Sequence, residues 1–317
     1  MTEDAAGVFR LPVYTPYETE PTNAYLLRGE RVALFDTGLR HPAAREDLLG
    51  GLACLGLKPS DIDVLVVSHA HVDHHGLAEE FAPAEVLVGR RDLRKLVDLP
   101  RHLDHYLSVA QSLLVRWDVP AGLRDSVGEA IQGFNDFASS IPGASPVDEG
   151  QCLTGFGGDW LVRELPGHTE GLIGLMRESD GVLLSSDHLL PHITPNPGIY
   201  AREVPPRSGL SEYARSLQRV LVLAPRVALP GHGHPIADVA PRVAEVLEHH
   251  LRRLEVVREL AGGGRTVFQL ASELFPGSEP EHVFLAAREI FGHLQILEEE
   301  GRVSCRLEGE AQLFAAA

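Results

Sequence analysis

The chain has almost no lysine. Lys58 and Lys95 are its only two among 317 residues, so arginine supplies nearly all of the positive charge. Acidic residues outnumber basic ones 45 to 28, for a net charge of −17. A field of that sign repels polyanions and argues against nucleic acid as a partner. Cysteine is scarce as well. Cys54, Cys152 and Cys305 are odd in number and far apart, so no disulfide framework is expected. A reducing, cytoplasmic setting follows from that usage. No apolar run is long enough to cross a membrane. The start, Met1-Thr2-Glu3-Asp4, lacks the basic residues and apolar core of a secretory signal. What remains is an ordinary globular composition, 44% hydrophobic and 23% charged, long enough for a large core and a small second domain.

Against this background one segment stands out, His69-Ala70-His71-Val72-Asp73-His74. It directly follows the apolar run Val64–Val67, which reads as a buried strand. Alternate residues of an extended chain share a face, so His69 and His71 can point to one place. Asp73 and His74 come where the chain turns toward the helix-like stretch Leu77–Phe81. A lone histidine is more often a surface or core residue than a ligand. Four imidazole and carboxylate groups at a strand end are costly without a metal or catalytic use. Donors arriving from two directions suit a pair of metals better than one.

The segment resembles the His-x-His-x-Asp-His signature of the metallo-β-lactamase superfamily. Four further stretches resemble the rest of that pattern, in order. They are Leu34-Phe35-Asp36-Thr37-Gly38, Pro166-Gly167-His168-Thr169, Leu183-Leu184-Ser185-Ser186-Asp187 and Pro230-Gly231-His232-Gly233. The likeness covers roughly residues 20–240. It implies an α/β fold, the four-layer αβ/βα sandwich, in which two mixed sheets face each other and metals lie at one sheet edge. It also implies a ligand set. His69, His71 and His168 would hold one metal, Asp73, His74 and His232 the other, and Asp187 would bridge them. Two Zn2+ per chain are expected, with Fe or Mn as alternatives. Asp36 would support a metal-bound histidine from the outer shell.

The local pattern agrees with layered α/β packing. Ala24–Leu27 and Val32–Phe35 read as strands joined by the turn Arg28-Gly29-Glu30-Arg31. A helix is expected over Ala43–Leu55, ended by Gly56, and a short strand over Glu85–Val88. Residues from about 92 to 142 read as a helical insert within a catalytic domain of residues 1–240. Its helices are expected over Arg101–Trp117 and Leu123–Ser139. Family members place substrate-covering elements here, so Tyr106, Leu107, Phe134 and Phe137 are candidates for a lid over a small-molecule substrate with a hydrophobic arm. Packing on the body is the simpler use for most of the insert's apolar residues. Residues 241–317 resemble the small, mainly helical winged-helix-like domain of some relatives, with helices over Ala240–Leu260, Thr266–Leu274 and His282–Glu300 and a strand over Val303–Leu307. The run Glu298-Glu299-Glu300 argues for packing or homo-oligomer formation there rather than DNA reading.

The resemblance implies a metal-dependent hydrolase. Metal coordination brings the pKa of a bound water from 15.7 to about 7, which gives hydroxide at neutral pH. Asp73 would orient that nucleophile and carry its proton to the leaving group. A thioester, ester or lactone is the leading substrate class. A phosphodiesterase or ribonuclease and a mononuclear iron persulfide dioxygenase are the alternatives. His75, His188, His192 and His234 crowd the motifs. His188, His192 and the loop residue Tyr200 are the better candidates for substrate contact, and filling the rim is the simpler use of each.

Overall fold

The computed structural model describes residues 1–16, 20–277, 279 and 282–317. The first seven strands form one sheet in sequence order. They are β1 (Thr2–Ala5), β2 (Val8–Val13), β3 (Thr22–Arg28), β4 (Val32–Phe35), β5 (Val64–Val67), β6 (Glu85–Gly89) and β7 (Ser145–Val147). β1 to β4 run antiparallel, and β4 to β7 run parallel. The second sheet uses β8 (Cys152–Leu153), β9 (Trp160–Glu164), β10 (Ile173–Arg177) and β11 (Val182–Ser186). A small hairpin, β12 (Ile199–Tyr200) with β13 (Arg207–Ser208), lies outside it. β14 (Val227–Pro230) completes the second sheet in the order β14-β11-β10-β9-β8.

Alternation of side chains explains why the sheets stack. Tyr25, Leu27, Val64 and Val66 of the first sheet meet Val162, Ile173, Leu175 and Leu184 of the second. Their neighbours Leu26, Leu34, Leu65 and Val67 face the other way, onto Leu48 and Leu52 of helix α1 (Pro42–Cys54). The second sheet repeats this arrangement. Leu183 and Ala228 turn outward toward a helix over Leu210–Leu223 and another over Val239–Leu260. Alternate side chains buried on opposite faces of both sheets give the four layers expected of the αβ/βα sandwich.

Topology then gathers the chemistry at one edge. β4 and β5 are parallel, as are β11 and β14, so their carboxyl ends share a side within each sheet. β10 runs antiparallel to β11, so the turn before β10 lies at the same edge. Main-chain hydrogen bonds join the sheets there. The amide of Ile173 donates to the Ser68 carbonyl (2.9 Å), and the amide of Asn23 to the Gly231 carbonyl (2.7 Å).

The segment after β5 forms the short helix α2 (Val72–His75), then a 3-10 turn over Ala78–Phe81. The insert contains α3 (Leu93–Val97), α4 (Leu99–Arg116) and α5 (Ala121–Gly133). α5 ends earlier than the expected Leu123–Ser139, and Phe134–Asp136 form a separate 3-10 turn. The remaining helices are α6 (Leu210–Leu223), α7 (Val239–Leu260), α8 (Val267–Leu274) and α9 (Val283–Glu299). β15 (Arg265–Thr266), β16 (Val303–Glu308) and β17 (Ala311–Ala316) form a sheet in the order β15-β17-β16. β17 was not expected from the sequence. A reciprocal cap starts α8, where Thr266 Oγ1 accepts from the Gln269 amide and Gln269 Oε1 from the Thr266 amide.

The insert and the C-terminal helices share one core. Leu113, Leu114, Trp117, Val127 and Ile131 pack with Leu254, Val257, Leu270, Phe291 and Leu294. α7 spans two environments. Val239, Val243 and Val246 pack on the second sheet, and Leu254 and Val257 on the insert. Among the described residues no helix is long and apolar enough to cross a membrane.

Candidate metal centre

Seven donors converge at the shared sheet edge. His71 Nδ1 lies 3.0 Å from His69 Nε2 and 2.9 Å from His168 Nε2. Asp187 Oδ2 lies 3.4 Å from His74 Nε2, 3.5 Å from His168 Nε2 and 3.6 Å from His232 Nε2. Asp73 Oδ2 is 3.3 Å from His232 Nε2 and 3.6 Å from His74 Nε2. Two groups result, His69/His71/His168 and Asp73/His74/His232, with Asp187 reaching members of both.

Outer contacts fix which ring nitrogen faces the centre. His74 Nδ1 donates to Asp36 Oδ2 at 2.8 Å. Ser68 Oγ donates its proton to the same Asp36 oxygen (2.7 Å), so it accepts from His69 Nδ1 (2.8 Å). His168 Nδ1 donates to the Asn196 carbonyl (3.0 Å), and His232 Nδ1 to the Glu20 carbonyl (2.9 Å). In the neutral form of all four rings Nε2 is left as a lone pair. Orientation of this kind is what metal-ligating histidines require.

The donor set fits divalent metal. A single proton on His71 Nδ1 can serve only one of the two lone pairs that face it, whereas a cation serves all three. His74 Nε2 and Asp187 Oδ1 are buried without a hydrogen-bond partner among the described residues. Burial holds His69, His71 and His168 below the usual histidine range, so these rings stay neutral, as ligands must. Burial also opposes charge on His232, but Asp187 and Asp73 outweigh it and raise that ring to about 10. The carboxylates therefore create a strong local demand for positive charge. Gly231 makes room for them, since a Cβ there would come within 2.1 Å of Asp187 Oδ1.

Backbone geometry at the edge is unusual in a purposeful way. Asp36 and Ser186 are non-glycine residues with φ of 64° and 44°. Both belong to the hydrogen-bonded knot, in which Ser186 Oγ reaches Ser68 Oγ (2.8 Å) and Asp36 Oδ2 (3.3 Å). Left-handed backbone at such residues persists where surrounding bonds over-determine it.

Several supporting residues carry no sequence signal of their own. Asp92, fully buried, accepts from the Ala70 amide (3.1 Å), Thr169 Oγ1 (2.7 Å) and the Gly171 amide (3.0 Å). It thus ties the first histidine segment to the His168 turn, and Lys95 Nζ pairs with it at 2.7 Å. Asn23 Nδ2 and Tyr25 Oη both donate to the Pro230 carbonyl and hold the His232 segment to β3. Arg288 from α9 donates to Asn196 Oδ1 (2.7 Å) and Tyr106 Oη (3.2 Å), which links the His168 support to the insert.

The other candidates fall elsewhere. Tyr200 Oη donates to Glu212 Oε2 (2.7 Å), so its hydroxyl is committed to a carboxylate. His188 is buried against Tyr213 of α6, ring to ring at 5.2 Å, rather than among the converging nitrogens. His192 lies exposed beside His234, with ring centroids 4.8 Å apart. His75 is buried, and neither of its ring nitrogens has a hydrogen-bond partner among the described residues. Phe134 and Phe137 pack with Val72 of α2 and Leu99 and Leu103 of α4. Tyr106 and Leu107 pack against the core shared with the C-terminal helices. The insert is thereby anchored to the body through these four side chains.

The chain is similar to several known proteins. The pattern of the metallo-beta-lactamase superfamily matches residues 17–232. A Bacillus subtilis (strain 168) protein named "Probable metallo-hydrolase" is 31% identical over 99% of this chain and 98% of its own length. A crystal structure of a metallo-beta-lactamase family protein from Thermus thermophilus superposes with a TM-score of 0.86 at 32% identity, covering 99% of both chains. An atrochrysone carboxyl ACP thioesterase of Aspergillus terreus is 28% identical over 51% of this chain and 49% of its own length.

Proposed function

Because the chain belongs to the metallo-β-lactamase superfamily, we propose that it is a dinuclear zinc hydrolase of a small thioester, ester or lactone. The observation that carries this reading is the pair of donor clusters that Asp187 joins. Zinc bound there would supply Lewis acidity and water activated at neutral pH.

The chain's own residues would do the rest. His69, His71 and His168 would hold one ion. His74, His232 and Asp73 would hold the other, with Asp187 shared. Asp36 and Ser68 keep His74 and His69 in the tautomer that offers Nε2. Asp73, whose Oδ2 accepts from Thr22 Oγ1 at 3.5 Å, would orient the attacking water and take its proton. The carboxylate passes that proton to the departing thiol or alcohol. The thioesterase named above favours an acyl substrate within the group. The acidic chain counts against a polyanion.

Metal analysis of protein purified without chelator, followed by a thioester, lactone and phosphodiester panel, tests the reading. About two zinc ions per chain and turnover of an acyl substrate are expected. About one iron per chain with oxygen consumption would overturn it in favour of a persulfide dioxygenase. Turnover confined to phosphodiesters would overturn the acyl assignment.

A further inference from the structure

A separate cluster of metal-type donors lies between α7 and α9. His249, His250 and Glu289 each place a ligand atom within 4.8 Å of the others. None of them belongs to the sequence motifs of the first centre. His249 and Glu289 border a cavity of about 310 Å³ whose wall also includes Arg253, His282 and Asn196.

A hydrogen-bond relay decides what His250 offers. His293 Nδ1 lies 2.7 Å from the Glu289 backbone carbonyl. A carbonyl cannot donate, so the proton is on His293 Nδ1 and its Nε2 is a lone pair. That lone pair faces His250 Nδ1 at 3.3 Å, so His250 Nδ1 carries the proton in turn. His250 Nε2 is therefore bare. It is buried, with no hydrogen-bond partner among the described residues, on a residue only 5% exposed. A second buried group shares its surroundings. Glu289 is 7% exposed, and the nearest cation-forming nitrogen recorded for its carboxylate is His293 Nδ1 at 3.9 Å. His250 and Glu289 contribute to one cluster of ligand atoms, and His250 Nε2 takes no hydrogen bond from it.

We propose that His250 Nε2, a Glu289 carboxylate oxygen and His249 form a second, independent site for a zinc-class divalent cation, which would clamp α7 to α9. The tautomer relay through His293 is the outer support such a ligand needs. Burial keeps His250 and His293 neutral, at about 4 and about 3, and burial raises Glu289 to about 7, which a bound cation would reverse. Arg253 faces the same cavity, and its Nη1 is buried without a hydrogen-bond partner. Its charge weakens cation binding relative to the first centre and suits an anionic outer ligand on the metal.

Zinc chloride is the probe. The full chain is dialysed to equilibrium against it, and crystals grown with it are measured at the zinc edge for anomalous scattering. The expected result is an anomalous peak about 2.0–2.2 Å from His250 Nε2 and from a Glu289 oxygen. One zinc equivalent should disappear in Glu289→Gln, with zinc at the first centre retained. His249→Ala, at the cavity mouth, alters little of the fold and should weaken the same equivalent by about tenfold or more. No peak between α7 and α9 while the first centre is filled would overturn the proposal. So would equal zinc content and affinity in wild type and both variants. A peak here with none at the first centre would support this site and count against the dinuclear hydrolase.

Discussion

The candidate metal centre is built from two halves that are held in different ways. His69 and His74 are fully buried and are pinned by side chains, Ser68 and Asp36. His168 and His232 lie nearer the rim and are pinned by main-chain carbonyls, those of Asn196 and Glu20. The buried half depends on residue identity. The rim half depends on the path of two loops. A substitution can therefore erase an outer contact in the buried half, whereas in the rim half the carbonyl survives a change of side chain.

Asp187 joins the halves, so its loss should have the largest effect. Asp187→Ala removes the carboxylate that lies 3.4–3.6 Å from three histidines and leaves both clusters without a shared anion. Metal content should fall below one ion per chain, and kcat/KM should fall by more than about 100-fold, beyond the range seen for outer contacts. Emission spectrometry and an acyl-substrate assay would read both. Retained metal with full turnover would mean that Asp187 bridges nothing.

The two halves can then be set against each other. Asp36→Asn replaces a carboxylate oxygen that accepts from His74, Ser68 and Ser186. An amide cannot accept from all three as well, and metal affinity should weaken about 10–100-fold. Asn196→Ala keeps the carbonyl that His168 uses and removes the side-chain contacts to Arg288 and to the Leu285 carbonyl. Its metal affinity should change by less than about threefold, because the lost hydrogen bonds hold the surrounding frame and leave the acceptor for His168 in place. Equal losses in a chelator-competition titration would erase the distinction between side-chain and main-chain support.

The same distinction explains what the sequence could tell. Donors are rare residue types at fixed spacings, so His69, His71, His74, His168, Asp187 and His232 stand out by type and order alone. Period-two apolar runs similarly announce β3, β4 and β5. Supports such as Asp92, Asn23 and Ser186 are common residues in unremarkable surroundings. They acquire meaning only when strands distant in sequence meet at one edge. Main-chain acceptors leave no trace in residue identity at all. The insert shows the matching limit for packing. An apolar helix face reveals that something is covered, but not that α4 and α5 share their core with α8 and α9. Tyr200 and His188 looked equally available by position, and their partners Glu212 and Tyr213 come from α6, which local pattern does not connect to them.

Asp92 and Lys95 offer the mildest test, because they act on the frame and not on the donors. In Lys95→Met the Asp92 carboxylate keeps the amides of Ala70 and Gly171 and the hydroxyl of Thr169. Metal content and kcat should therefore stay near wild type. Stability should fall by about 3 kcal/mol, the low end for breaking a buried pair. The sign with pH follows from the two shifts. Burial raises Asp92, but Lys95 outweighs it and holds the carboxyl below its ordinary value. Burial lowers Lys95, but Asp92 and Glu170 outweigh it and hold the ammonium above its ordinary value. The carboxylate's contribution is complete above its unfolded pKa of about 3.9 and is lost as pH falls through the depressed folded value. The ammonium's contribution is complete below about 10.4 and is lost as pH rises through the elevated folded value. Denaturant titrations of both proteins in chelator should thus differ by a constant amount near neutrality, with the gap closing at both extremes. A gap that stays constant from acid to alkali would show that Lys95 stabilises the edge by packing alone.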